Sequence, residues 1–69
     1  MTTIKVIELI GTSANNWEDA ANNAVKEAQE SINGITGLEV VAQTAKVKDG
    51  EIVEYRTNVK VAFLVQDNR

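Results

Sequence analysis

Two long β-forming runs joined at Asp49-Gly50 fill the last part of a chain that offers only one helical segment to cover them. From Leu38 to Val65 only Lys48, Asp49, Gly50 and Glu51 break the β-rich pattern. The second run is therefore expected to be one strand from Ile52 to Val65, about 45 Å long at strand rise. A helix from Trp17 to Ile32 reaches only about 24 Å. The sheet outruns its cover, and apolar sheet surface with open edges is commonly satisfied by further copies of the same chain. Self-assembly is the first functional expectation.

The small size of the chain points the same way. Its 69 residues predict a single domain, 1–69, whose lone core gives marginal stability, and with no cysteine and no histidine it has neither disulfides nor a zinc site to staple it. A formal charge of −3, with Lys and Arg scattered along the chain, argues against a nucleic-acid or anionic-membrane partner, both of which need a concentrated basic face. The opening Met1-Thr2-Thr3-Ile4-Lys5 does not read as a signal peptide, because Lys5 and Glu8 break the apolar run that follows. A cytoplasmic protein is expected.

The element order reads β-α-β-β. Ile4 to Ile10 carries apolar residues on both parities, Ile4, Val6 and Ile10 against Ile7 and Leu9, which predicts a strand buried on both faces and ended by Gly11-Thr12-Ser13. Asn15 or Asn16 caps the helix, with Glu18 and Asp19 in its first turn where the exposed N–H groups favour negative charge. Trp17, Ala20, Ala21, Ala24, Val25, Ala28 and Ile32 recur at helical spacing and form a face of mostly small side chains, so the helix axis can lie close on a sheet. Asn33-Gly34 supplies a left-handed C-cap. In the last strand Val53, Tyr55, Thr57, Val59, Val61, Phe63 and Val65 share one parity, with Glu54, Arg56, Asn58 and Lys60 on the other. Val40 and Val41 point to opposite faces, which places part of the second strand in a subunit contact. The resulting fold class is α+β, a three-stranded antiparallel sheet of order 1-3-2 wrapped on one helix, with a right-handed crossover through that helix.

Little in the sequence points to catalysis. There is no histidine to act as a base at neutral pH, no cysteine nucleophile, and no Ser or Thr with an evident activating partner. Glu18-Asp19 suits helix N-terminal electrostatics, and Asp49 with Glu51 suits a solvated turn. Gly11-Thr12-Ser13 lacks the downstream Gly-Lys of a phosphate loop, and Gly34 and Gly37 match no nucleotide fingerprint. Trp17, at the helix start, reads as a core or interface plug. An enzyme is not expected.

Several segments taken together resemble the dodecin family over nearly the whole chain. They are Val6-Ile7-Glu8-Leu9-Ile10-Gly11-Thr12-Ser13, Trp17-Glu18-Asp19-Ala20-Ala21 with Ala24-Val25, Leu38-Glu39-Val40-Val41, and Tyr55-Arg56-Thr57-Asn58-Val59-Lys60-Val61-Ala62-Phe63. The resemblance implies a hollow homododecamer of cubic symmetry, alongside the absence of nucleic-acid and membrane partners already expected from the charge. It also implies a family habit of storing flavins (FMN or riboflavin), stacked on a tryptophan just before the second strand and held by a glutamine in the last.

Carried onto this chain, the tryptophan position is Gly37, the glutamine position is Arg56, and a further polar position in the second strand is Ala42. All three are altered. Losing an aromatic platform of about 200 Å² removes several kcal/mol at roughly 25 cal/mol per Å², a weakening of more than about a hundredfold. Arg56 could hold a carboxylate or phosphate instead, although a pairing with Glu54, Asn58 or Glu39 is the favoured expectation. The resulting reading is a non-catalytic oligomer that binds or buffers a small molecule or ion. Its alternatives are flavin storage, a calcium or other metal-ion binder built from carboxylates such as Glu8, Asp49 and Glu51, and a structural interaction module.

Overall fold

The computed structural model describes residues 2–66, so Met1 and residues 67–69 of the expected domain lie outside the described residues. Strand β1 (Thr2–Ser13) leads into helix α1 (Trp17–Gln29), followed by strands β2 (Ile35–Lys48) and β3 (Glu51–Gln66). The sheet order is β1-β3-β2, with β3 antiparallel to both neighbours, as the sequence predicts.

Asp49-Gly50 forms the hairpin turn with positive φ at both residues, 54° and 79°. That is the two-residue geometry whose twist matches the strands it joins. Bulges between Ile35 and Gly37, Val40 and Ala42, and Lys46 and Val47 interrupt the β2–β3 ladder and add twist. At the Val40/Ala42 bulge Val41 has no partner of its own on β3, which explains why the alternation of β2 is blurred in the sequence.

Asn16 caps the helix by accepting from the Asp19 N–H at 2.6 Å, and the Ser13 hydroxyl donates to the Asp19 carboxylate at 2.7 Å. The helix ends at Gln29, earlier than the expected Ile32. Its last turn tightens as the N–H groups of Ser31 and Ile32 both reach the Ala28 carbonyl, at 3.1 and 2.9 Å. Gly34 takes the expected left-handed backbone but sits in the loop beyond that turn, where its carbonyl accepts from the Leu64 N–H at 3.2 Å.

Gly11-Thr12-Ser13 does not end the first strand. These residues continue the ladder, opposite Thr57, Arg56 and Tyr55. Gly11 stays in the strand because its missing side chain admits the helix: a β-carbon there would collide with the Ala20 carbonyl and stand 2.8 Å from the Ala24 β-carbon. The core follows from this approach. Ala24 packs with Val59 and Val61, with Ile7, Leu9, Ala21 and Ile35 around them, and Ala20, Ala28 and Thr57 are buried as well. The Thr57 hydroxyl, 1% exposed, donates to the Trp17 carbonyl at 2.8 Å, so its burial leaves no donor unpaired.

The helix lies over β1 and β3 and scarcely touches β2. The molecule measures 56 × 20 × 13 Å, far longer than a 13-residue helix of about 20 Å. Both faces of β1 were expected to be buried, yet within one chain Ile4, Val6 and Ile10 are 60%, 51% and 63% exposed. Leu38, Val40 and Val41 on β2 are bare as well, and so are Val47, Ile52 and Val53 around the hairpin tip.

Candidate functional site

The sheet face turned away from the helix gathers the residues with ligand chemistry. Strand alternation puts Glu54, Arg56, Asn58 and Lys60 of β3 on it, and the register adds Glu8 opposite Lys60 from one side and Glu39 from the other. Ala42 stands opposite Asn58, and Thr44 opposite Arg56. Toward one end the face turns apolar, with Ile4 opposite Leu64 and Val6 opposite Ala62.

Two polar contacts organise this surface. Asn58 Nδ2 donates to Glu8 Oε2 at 2.9 Å, while Asn58 Oδ1 is buried and has no hydrogen-bond partner among the described residues. Arg56 Nε donates to Glu54 Oε2 at 2.6 Å, two residues along the same strand face. Of the pairings expected for Arg56, the one with Glu54 is formed. The pair is partly open to solvent, with side chains 45% and 35% exposed, so its contribution to stability is small.

The three positions that the family resemblance assigns to a flavin site, Gly37, Ala42 and Arg56, do not converge within one chain. Ala42 and Arg56 are diagonal neighbours across β2 and β3, but Gly37 lies opposite Ala62, six residues along β3 from Arg56. That separation is about 20 Å at strand rise. Among the described residues nothing stands within 4 Å of where a β-carbon on Gly37 would be, and its φ is not in the left-handed region.

Glu8, Asp49 and Glu51 are likewise apart. Glu8 is paired across from Lys60, whereas Asp49 and Glu51 sit at the hairpin turn, about 30 Å away by strand rise. Among the described residues no group of three or more acidic side chains gathers as a metal site within one chain.

Trp17 is committed elsewhere. Its indole Nε1 donates to the Thr44 carbonyl at 2.8 Å, and its ring meets Tyr55 edge-to-face with centroids 4.8 Å apart. It therefore pins the helix start to β2 and β3. The Glu8–Asn58 contact was not anticipated from the sequence: 50 residues separate the pair, and only the β1–β3 register brings them together.

Comparison with known proteins gives a consistent picture. Residues 3–66 match the Dodecin family. The chain is 38% identical over 63 residues to the calcium dodecin of Mycobacterium tuberculosis, covering 91% of this chain and 89% of that protein. The crystal structure of that species' calcium dodecin, described as calcium chelating with a novel calcium-binding site, superposes with a TM-score of 0.81 at 37% identity, covering 97% of this chain and 96% of the other. Dodecin from Streptomyces coelicolor superposes with a TM-score of 0.93 at 25% identity, over 97% and 96% of the two chains. Among the described residues no helix is long and apolar enough to cross a membrane.

Proposed function

The chain belongs to the dodecin family, and from that premise we propose that it is a non-catalytic, self-assembling binding protein that buffers a small ligand, with calcium as the favoured one. Residues 1–69 act as one domain, and twelve copies form the working particle in the cytoplasm. The observation that carries the proposal is the bare edge strand β2, whose Leu38, Val40 and Val41 are each more than 40% exposed. An edge strand with bare aliphatic side chains calls for another subunit to cover it.

Two features support an ion over a flavin. Gly37 offers no ring for an isoalloxazine to stack on, and the Arg56 guanidinium is held by Glu54 where the usual mode needs a neutral amide. The 38% identical relative is a calcium dodecin, and the outer sheet face here presents Glu8, Glu39 and Glu54 as oxygen donors that assembly would multiply. Gly37, Ala42 and Arg56, which the family resemblance assigns to the flavin site and which assembly would have to bring together, accordingly do not select flavin.

Calorimetric titration of the purified particle with calcium, against the same protein with excess chelator, tests the reading. Saturable heat that the chelator abolishes is expected. A flat calcium trace together with quenching of added riboflavin would replace it with flavin storage, and no response to either would leave a structural module.

A further inference from the structure

A reactive dipeptide lies where α1 hands over to β2. Of the asparagines in the sequence only Asn33 is followed by glycine, and the pair is exposed and belongs to neither element. Gly34 is held at φ 80°, in the left-handed region that glycine enters freely. Its carbonyl accepts from the Leu64 N–H at 3.2 Å, whereas among the described residues its own N–H donates to no backbone carbonyl. The Gly34 nitrogen thus escapes the hydrogen bonding that occupies amides in helices and strands, and no side chain of its own shields it.

The other asparagines of the described residues lack these conditions. Asn16 spends its side-chain oxygen on the Asp19 N–H at 2.6 Å, and Asn15 is followed by the side chain of Asn16. Asn22 and Asn23 lie within α1 and Asn58 within β3, where the amide that follows belongs to a hydrogen-bonded element. Asp49-Gly50 repeats the glycine, but a carboxylate offers no amine to leave.

We infer that Asn33 is a site of spontaneous covalent modification, converted to aspartate and isoaspartate by the nitrogen of Gly34, a property that does not depend on the binding role proposed above. The Gly34 nitrogen gives its proton to solvent and bonds to Asn33 Cγ. The bond from Cγ to the side-chain nitrogen breaks, ammonia leaves, and a cyclic imide closes. Water then opens the ring. Addition at Cγ restores the main chain with an aspartate side chain, whereas addition at the backbone carbonyl carbon leaves the chain running through Cγ with the α-carboxylate free. A water is consumed, an ammonia is released, and nothing is oxidised or reduced. Either product sets a negative charge just past the C-terminus of α1, where the helix carbonyls disfavour it. The isoaspartyl product also lengthens the main chain by a methylene next to Gly34. The Gly34 carbonyl then leaves the Leu64 N–H, and the start of the edge strand β2 is no longer clasped to β3.

The test ages the purified full chain in mildly alkaline buffer and follows it by peptide mass mapping, with isoaspartate detected by enzymatic methyl transfer to its free carboxylate. Residue 33 is expected to lose its amide while Asn15, Asn16, Asn22, Asn23 and Asn58 keep theirs, and the peptide that holds it is expected to take up the methyl label. The Leu64 amide is expected to lose hydrogen-exchange protection over the same period. Asn33→Gln, whose longer side chain would have to close a larger ring, is aged in parallel and is expected to take up no label there and to keep Leu64 protected. An Asn33 amide that survives, or that is lost no sooner than those of Asn22 and Asn58, overturns the inference. Modification at residue 33 with Leu64 as protected as in Asn33→Gln overturns the loosening of β2.

Discussion

Gly11 and Ala24 are in such close register that a β-carbon on the glycine would stand 2.8 Å from the β-carbon of the alanine, which fixes how near the helix lies to the sheet. Gly11→Ala must push the helix away from β1 and open the Ala24–Val59–Val61 core. A loss of about 1–3 kcal/mol is expected by denaturant unfolding, the usual cost of overpacking a tight core. Gly37→Ala is the control: its new methyl meets open space, so its midpoint is expected to stay or rise slightly.

Trp17→Phe removes the indole donor from the Thr44 carbonyl while keeping a ring against Tyr55. The expected cost is about 1 kcal/mol, that of one hydrogen bond. Since Trp17 is the single tryptophan, its emission in the parent protein should shift at the same denaturant concentration as the loss of secondary structure. A shift that came much earlier would mean that the helix start is not pinned to β2.

If Gly37 and Arg56 stand where the family resemblance puts a flavin site, flavin binding should be restorable there. Gly37 has room for a large side chain, and Arg56→Gln frees Glu54 and supplies a neutral amide. The unmodified protein is expected to leave riboflavin fluorescence unquenched, Gly37→Trp to introduce quenching, and Gly37→Trp with Arg56→Gln to strengthen it more than about tenfold, one charged-group mismatch being worth about 1.5–3 kcal/mol. Quenching by the unmodified protein would show that another group has taken over the stacking role.

Charge at Val41 should act on assembly and leave the subunit's own core intact. Val41 is 45% exposed in one chain and stands in the β2 bulge, so Val41→Asp is expected to release smaller species that retain helix and sheet signals by circular dichroism. Asn22→Asp, on the solvent side of the helix, is expected to keep the full mass. If Val41→Asp also kept it, that part of β2 would lie outside the subunit contacts.

The parts of the fold set by neighbouring residues were legible in the sequence. Asp49-Gly50 announced its turn, the alternation from Val53 to Val65 announced the two faces of β3, and the alanine spacing announced the buried side of α1. What escaped was set by tertiary contact. Gly11 resembles a strand terminator until the helix above it is placed. Ile4, Val6 and Ile10 read as a buried face, whereas one chain leaves them bare, so only the proposed assembly would bury them. The Glu8–Asn58 contact depends on a register that joins residues 50 positions apart, which no local pattern encodes. At the candidate site the pairing of Arg56 with Glu54 was foreseeable because two residues on one strand share a face, whereas the distance of Gly37 from both followed only from the β2–β3 register.

The central claim is that this chain functions as an assembled subunit, and light scattering across a size-exclusion peak of the freshly purified protein, with absorbance recorded on the same peak, tests it most directly. The expected result is a single species of twelve chains without a flavin band. A species with the mass of one chain would contradict the claim, because the bare faces of β1 and β2 would then be stable in water without a partner.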